Sequence, residues 1–554
     1  MHAATPPSQP AAGTELTPAE QAAMVQALRL ALQARHPGPR VELIETHISF
    51  VLIAGGHAYK FKKALRPGFL DYSTLALRLH CCHEELRLNR RLAPDLYLDV
   101  VAVAGTPDAP VLGGAGPMID CAVKMRAFAQ EGLWDRLAAR AALRSAHIDE
   151  LAGLLCAFHA AAAVADAQGR LGTPAQVRAP MLDNLEALDG LLTQPAERAR
   201  LQQLRGWEVR AWAALEPVFA QRLAEGRVRE CHGDLHLGNV TFIAGRTTVF
   251  DGIEFNDDFR WIDVISEVAF MAMDLQAHAL HALAHRFVNA YLQGSGDYDG
   301  ARVLRYYIVH RALVRAKVAA MRAAQPGCEE AAATAAAESV RQFLHLAVQS
   351  SQPGHPALMF THGPSGSGKT SLTQGLLEAA GAIRIRADVE RKRLAGLDAL
   401  ARSASPLEAG LYSGESTAAT YARLVRLAVP VLQGGYPVIL DATFLKRAQR
   451  DAARRVAAAQ GVAAVLLDFE AAPATLRERV HRRAALAADA SEADERVLQM
   501  QWRTAEPLQA DEGGVVFRCR PLPDAGDAAP QADWGPLLER LGQAGPVPPC
   551  ERPA

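Results

Sequence analysis

The chain has 554 residues, which at roughly 100–200 residues per domain predicts two to four domains. Hydrophobic residues make up 50% and charged residues 21%, a balance that excludes a largely disordered chain. Lys+Arg 59 against Asp+Glu 60 gives a net charge of −1, which argues against a protein dominated by nucleic-acid or membrane-surface electrostatics but leaves room for a local basic groove.

Residues 1–15 are rich in Pro and Ala, with no basic segment leading into an apolar one. They read as a loose tail and not as a signal peptide. No apolar run reaches the ~18–20 residues of a membrane span, so the expectation is a cytoplasmic protein with no membrane partner. A helix is predicted after Thr17-Pro18, with Thr17 as N-cap. Two strand-like runs in 48–63 flank Gly55-Gly56, a hairpin signal. Residues 75–92 have helical periodicity and stop before Pro94, and a strand pair is predicted across 97–104 and 119–126. From about 133 to 230 the pattern is helical. Two short apolar strands then surround a polar loop between 228 and 251, and long helices return over 260–349.

The segment 350–356, SSQPGHP, breaks the helical pattern and is read as a linker between domains spanning 16–349 and 357–545, with a second tail at 546–554. After it, ALMFTHG, AIRIRAD, PVILDATF and VAAVLLDFEA read as strands alternating with helices. That alternation predicts a doubly wound parallel sheet. From Pro521 the chain reads as weakly ordered, apart from a possible helix at 534–543. The eight cysteines form no C-x-x-C pair and no zinc-finger spacing, so they read as free thiols.

Two motifs carry chemistry. Gly363-Pro364-Ser365-Gly366-Ser367-Gly368-Lys369-Thr370 fits G-x-x-x-x-G-K-[ST] between a strand and a helix. In such a loop, backbone N–H groups around Gly363, Ser365, Gly366, Ser367 and Gly368 face phosphate oxygens, Lys369 adds a charge and Thr370 ligates Mg²⁺. Asp388 and Asp441 are placed at strand ends, where a carboxylate can hold Mg²⁺ or accept a hydroxyl proton, and Arg391 lies one turn beyond Asp388. The helix 475–484 carries Arg477, Arg479, Arg482 and Arg483, charges suited to a phosphate-covering lid; Arg479 and Arg483 are taken as the nucleotide-facing pair. This region, 357–520, resembles the small P-loop kinases, such as the kinase part of polynucleotide kinase and gluconate-kinase-like enzymes. Asp388-x-x-Arg391 matches their substrate-side motif. The resemblance implies ATP as cofactor and a second small-molecule or nucleotide kinase; the alternative is a nucleic-acid 5′-end kinase, so nucleic acid is a possible partner of this domain only.

The second motif is His232-Gly233-Asp234-Leu235-His236-Leu237-Gly238-Asn239, followed by a short strand ending in Asp251. Phosphoryl transfer to a hydroxyl needs a carboxylate to orient the nucleophile and oxygen ligands for Mg²⁺, and an Asp with an Asn five residues on can supply both. Zinc held by His232 and His236 is the alternative, but a third ligand is missing. The pattern resembles the aminoglycoside and choline phosphotransferase family, with its protein-kinase-like fold, over about 41–320. By that resemblance Asp234 is the base, Asn239 and Asp251 hold Mg²⁺, His232 supports the loop, and Asp263 supports the fold. Lys60 pairs with Glu85 to hold ATP, with Lys62 and Glu84 as the respective alternatives. The hairpin lacks G-x-G-x-x-G, so phosphate covering is left to Ser49 and backbone amides. Glu254, Asp257, Asp258 and Asp263 are read either as an acidic cleft for a cationic acceptor or as a solvated loop. The whole chain thus resembles a fusion of an aminoglycoside-phosphotransferase-like kinase domain with a P-loop ATP-binding domain. The implied activity is ATP-dependent transfer to the hydroxyl of a small molecule. One domain acting as a nucleotide-sensing module is the remaining alternative.

Overall fold

The computed structural model describes residues 15–35, 40–68, 70–325, 329–399, 401, 413–486, 491, 493–512, 515–519 and 532–542; of 483–486 and 515 it describes the backbone only. By compactness the chain divides into two units. The first takes the described parts of Met1–Leu143, Phe158–Val177 and Ala220–Glu267, and the second those of Arg144–Ala157, Arg178–Phe219 and Val268–Ala554.

In the first unit, Thr17 and Glu20 cap the helix Pro18–Arg35: the Glu20 N–H donates to Thr17 Oγ1 at 3.3 Å and the Glu20 carboxylate accepts from the Thr17 N–H at 2.7 Å. Six strands follow: β1 Glu42–Glu45, β2 Ser49–Ala54, β3 His57–Lys62, β4 Tyr97–Thr106, β5 Ala109–Leu112 and β6 Met118–Arg126. They form one antiparallel sheet in the order β1-β2-β3-β6-β4-β5. The predicted hairpin is β2–β3. Gly55 and Gly56 have φ of +57° and +76°, the left-handed pair that a two-residue turn matched to strand twist requires. β1 and β5 were not anticipated; each is a four-residue edge strand, too short to carry a readable period.

Period-two alternation along β3 decides what faces what. Phe61 joins the apolar layer under the helix Pro18–Arg35, with Met24, Leu28 and Leu52. Ala58 packs on the opposite side with Cys82 and Leu86 of the helix Leu75–Asn89, which Thr74 caps. Lys60 and Lys62 share the Ala58 face and are thereby aimed at that helix.

The loop-bearing segment holds β7 Val228–Glu230, β8 Val240–Ile243, β9 Arg246–Val249 and β10 Trp261–Asp263. β8 pairs with β9, so the stretch 228–251 holds three strands where two were expected, and β7 pairs with β10, a strand expected to be helical. The loop 231–239 is therefore held between two strand pairs.

In the second unit, β11 Ala357–His362, β12 Ile383–Arg386, β13 Val438–Asp441, β14 Ala463–Asp468 and β15 Val515–Arg518 form a wholly parallel sheet in the order β12-β13-β11-β14-β15. Runs such as ALMF and VIL are buried on both faces, as a parallel sheet covered by helices demands. The helices Lys369–Ala380 and Gly535–Arg540 pack Leu372, Leu376 and Leu537 onto Met359, Ile439 and Val465. The expected last helix is thus present but shorter. Much of the expected weakly ordered stretch, and most of both expected tails, lies outside the described residues. Longer helices, including Ala301–Ala323 and Glu330–Ser351, complete this unit.

One placement is corrected. Asp388 does not end a strand: β12 stops at Arg386, and Asp388 stands in the first turn of the helix Ala387–Leu394. Asp441 does end β13. None of the six described cysteines is in a disulfide. Among the described residues, no helix is long and apolar enough to cross a membrane.

Candidate active sites

In the first unit, helical spacing puts Cys81, Cys82, Glu85, Leu88 and Asn89 on the buried face of the helix Leu75–Asn89. Glu85 is the one carboxylate among them. Its Oε1 accepts from Lys60 Nζ at 2.9 Å and its Oε2 from Lys62 Nζ at 2.5 Å. Burial works against the charge of Glu85, but the two ammonium groups hold its carboxyl down at about 2. Lys60 also pairs with Asp251, and Lys62 with Glu254, whose carboxylate accepts from the Tyr72 hydroxyl as well. Lys62 is 1% exposed and Lys60 12%, so Lys60 is the more accessible of the two. Glu84 turns instead to Arg87, at 2.8 Å.

Asp251 has a φ of +64°, a left-handed conformation uncommon for a residue with a side chain and frequent at functional sites. Its N–H donates to the Tyr97 hydroxyl at 3.0 Å, and the next N–H, of Gly252, donates to Asn89 Oδ1 at 2.8 Å. The helix that carries Glu85 therefore also fixes the Asp251 backbone.

Asp234 lies on the loop after β7, with a side chain 38% exposed. Asn239 Nδ2 donates to the Asp234 carbonyl at 2.9 Å and to its Oδ2 at 3.1 Å. Both amide hydrogens are thus turned to Asp234, and Asn239 Oδ1 is the atom available to a cation. His236 Nδ1 accepts from the Gly238 N–H at 3.1 Å, which leaves the proton on Nε2, 3.4 Å from Asp234 Oδ2. His232 Nε2 donates to the Phe250 carbonyl at 2.8 Å while Nδ1 accepts from the Asp234 N–H at 3.3 Å. Burial pushes the His232 pKa down, in keeping with a neutral ring. Its ring nitrogens both serve the loop, which leaves none for zinc.

Sequence reasoning missed the anchor of this loop. Glu267 is fully buried; its Oε1 accepts from the N–H groups of His232 and Gly233 at 2.7 and 2.8 Å, and its Oε2 meets His159 Nε2 at 2.7 Å. Burial opposes its charge, but those bonds bring the carboxyl down to about 2. The available signal was a lone carboxylate on the strongly apolar stretch VISEVAF.

The four acids read as a possible cationic-acceptor cleft are all engaged with cations. Glu254 holds Lys62, Asp257 holds Arg260, Asp258 meets Arg170 at 2.6 Å, and Asp263 takes Arg222 through two bonds of 2.6 and 2.9 Å. Ser49 is 1% exposed at the position opposite Lys62 in the β2–β3 register, so its side chain is not available to cover phosphates.

In the second unit the phosphate loop leaves β11 and enters the helix Lys369–Ala380. Gly363, Gly366 and Gly368 all have positive φ, of +138°, +85° and +92°. Lys369 Nζ donates to the carbonyls of Gly363 and Pro364 at 2.9 and 2.7 Å, and the Thr370 hydroxyl donates to Asp441 Oδ2 at 2.7 Å. Gln501, unforeseen in the sequence, accepts from the Ser365 N–H at 2.8 Å and donates to its hydroxyl at 3.1 Å. Arg384, also unforeseen, is buried beneath the first helical turn and donates to the Thr370 carbonyl at 2.6 Å.

Arg479 approaches the Gly366 carbonyl at 3.5 Å, whereas Arg477 lies 3.7 Å from Glu495 and against Trp502. Arg482 is exposed, and the Arg483 side chain lies outside the described residues. A cavity of about 270 Å³ opens beside the loop, lined by Ser367, Gly368, Glu470, Thr475, Arg479 and Cys519. Asp388 Oδ1 and Arg391 Nη1 are 2.9 Å apart.

The model of the phosphotransferase enzyme family matches residues 78–304, and that of the AAA domain matches residues 358–508. The uncharacterized protein Rv2004c of Mycobacterium tuberculosis is 31% identical over 456 residues, which cover 82% of this chain and 88% of that protein. The uncharacterized protein Mb2027c of Mycobacterium bovis has the same identity and coverage. The chain belongs to the family of these two proteins. It joins a phosphotransferase domain to an AAA domain and is a kinase. A solved choline/ethanolamine kinase family protein from Mesorhizobium loti is 13% identical, covering 59% of this chain and 99% of that one, with a TM-score of 0.36. The expected fold class holds: a protein-kinase-like phosphotransferase fold followed by a P-loop doubly wound parallel sheet.

Proposed function

We propose that the phosphotransferase domain of this kinase moves the γ-phosphoryl group of ATP to a hydroxyl of a small molecule. On the same reading, the P-loop domain binds ATP at a second site and is a second kinase acting on a small molecule or nucleotide. The domains are taken as 16–349 and 357–545, joined by 350–356. The observation that carries the reading is the setting of Asp234: a partly exposed carboxylate steadied by Asn239, on a loop anchored by buried Glu267.

In this reading Asp234 takes the proton of the acceptor hydroxyl as its oxygen bonds to the γ-phosphorus; the bond to the bridging oxygen breaks and ADP leaves. Lys60 holds the nucleotide phosphates and Glu85 steadies Lys60. The carboxylate of Asp251 and Oδ1 of Asn239 are hard oxygen donors of the kind Mg²⁺ takes, and Thr370 with Asp441 offers a like pair in the second domain. Bound there, Mg²⁺ neutralises charge on the phosphates. Asp388 is the base of the second domain, Arg391 orients it, and Arg479 faces the nucleotide.

The test is transfer from γ-labelled ATP, with Mg²⁺, into a pool of cytosolic metabolites and oligonucleotides, comparing the intact protein with Asp234→Asn and Lys369→Ala. The expected result is two sets of labelled small molecules, each lost in one variant. Label confined to oligonucleotide 5′ ends overturns the small-molecule reading of the second domain. ATP binding without any transfer overturns both.

A further inference from the structure

Lys60 and Lys62 both reach Glu85, yet their surroundings differ. Lys62 is enclosed: Glu85 Oε2 lies 2.5 Å from its Nζ, Glu254 is on its other side, and the Tyr72 ring centroid is 5.1 Å away. At 1% exposure it is out of reach of any ligand. Lys60 bridges Glu85 and Asp251 at the edge of the site.

A buried carboxylate binds its cation tightly because the loss of that cation leaves a charge without compensation. Were Lys60 the sole partner of Glu85, turning Lys60 toward a phosphate would strip Glu85 of its partner. With Lys62 in place, Glu85 keeps a charge-assisted bond whichever way Lys60 turns. Glu254 and Tyr72 in turn hold Lys62, since Glu254 is shared between the Lys62 ammonium and the Tyr72 hydroxyl.

We infer that Lys62 is a positioning residue that neutralises Glu85 and so leaves Lys60 available to a nucleotide. The inference rests on the proposed nucleotide site around Lys60. It accounts for a Lys-x-Lys pair on one face of β3 converging on a single carboxylate. Lys62 acts only through Glu85 and Lys60.

The probe is binding of Mg²⁺ and the non-hydrolysable analogue AMP-PNP, measured by calorimetry on the full chain carrying Lys369→Ala so that the phosphotransferase site reports. Lys62→Met is expected to weaken binding about tenfold, equivalent to about 1.4 kcal/mol. Glu85→Gln removes the charge for which the lysines compete. Adding Lys62→Met to Glu85→Gln is therefore expected to change affinity less than twofold, a coupling that a merely structural role does not give. Each Lys62→Met variant also carries Glu254→Gln, because buried Glu254 otherwise loses its cation; the variant with all three changes then buries neither an unpaired acid nor an unpaired cation at that point and folds even where Lys62→Met alone does not. Two results overturn the inference: Lys62→Met within twofold of the parent, or an undiminished tenfold loss on the Glu85→Gln background. Unchanged binding in Lys60→Met instead overturns the nucleotide-site reading, and the inference with it.

Discussion

Removing the Glu267 carboxylate should unfasten the Asp234 loop. In Glu267→Ala, the N–H groups of His232 and Gly233, now bonded at 2.7 and 2.8 Å, lose their acceptor in a site with no access to water, and His159 loses its partner at 2.7 Å. A buried donor left unpaired costs about 1–3 kcal/mol. The two backbone groups together therefore represent about 2–6 kcal/mol, with smaller losses if the cavity admits water. Hydrogen exchange read by mass spectrometry over the 228–240 peptide gives the local value directly. A loss of about 2–6 kcal/mol appears as a fall in protection of roughly thirtyfold to twenty-five-thousandfold. Glu267→Gln keeps one acceptor oxygen and should fall between the variant and the native chain. Asp234 follows Gly233 directly, so transfer should drop while nucleotide affinity, proposed to rest on Lys60 and Glu85, stays. Native protection of His232 and Gly233 in Glu267→Ala would refute the anchoring argument.

Three other outcomes follow from the geometry. In Gly363→Ala the new Cβ would sit 2.6 Å from the Phe469 carbonyl and 2.9 Å from Ser367 Oγ, at a φ of +138°; calorimetry should show nucleotide affinity falling at least tenfold in the P-loop domain and unchanged in the other. His310 has neither ring nitrogen hydrogen-bonded, and burial, with Arg311 and Lys317 adding to it, depresses its pKa to about 3. The unfolded chain takes up that proton near 6.5 and the folded chain does not, so stability present above pH 6.5 is lost as pH falls toward 3; His310→Leu should gain up to about 2 kcal/mol over the native chain at pH 5 relative to pH 7.5, read by urea melts. Chelating Mg²⁺ should weaken AMP-PNP binding at least tenfold more in Lys369→Ala, which reports the Lys60 site, than in Lys60→Met, which reports the P-loop.

The parts of the sites that were legible in the sequence are those written in consecutive residues. The phosphate loop is one contiguous string whose strand-and-helix context can be checked by eye, and the His232–Asn239 string is another. The Gly55-Gly56 hairpin is a two-residue signal. What escaped depends on partners distant in sequence. β10 pairs with β7 across some thirty residues of chain, and three residues hold too little pattern to separate from the helix that follows. Glu267 meets the loop 35 residues upstream, and Gln501 reaches Ser365 across 136. Asp388 was misplaced for a local reason: the alternation of IRIRAD continues past Arg386 even though the backbone turns helical at Ala387. Lys60 was preferred to Lys62 in the sequence by family resemblance alone, since both lie on one face of β3. Only the burial of Lys62 separates them.

The two lysines proposed to meet phosphates, Lys60 and Lys369, stand in different surroundings. Lys369 donates to two carbonyls, and the nearby Asp441 accepts from the Thr370 hydroxyl and lies 3.9 Å from the Arg386 guanidinium. Lys60 instead sits on Asp251, so the carboxylate proposed to hold the cation already carries one. A phosphate that draws Lys60 away leaves Asp251 as a bare negative charge beside it, a repulsion at close range that water screens only in part. A divalent cation held by Asp251 would supply the charge that offsets that repulsion when Lys60 turns to a phosphate. At Lys369 a phosphate would compete with the carbonyls of Gly363 and Pro364 and the Ser367 hydroxyl. On the proposed reading, nucleotide and metal binding are therefore expected to be coupled through Asp251 in the first domain.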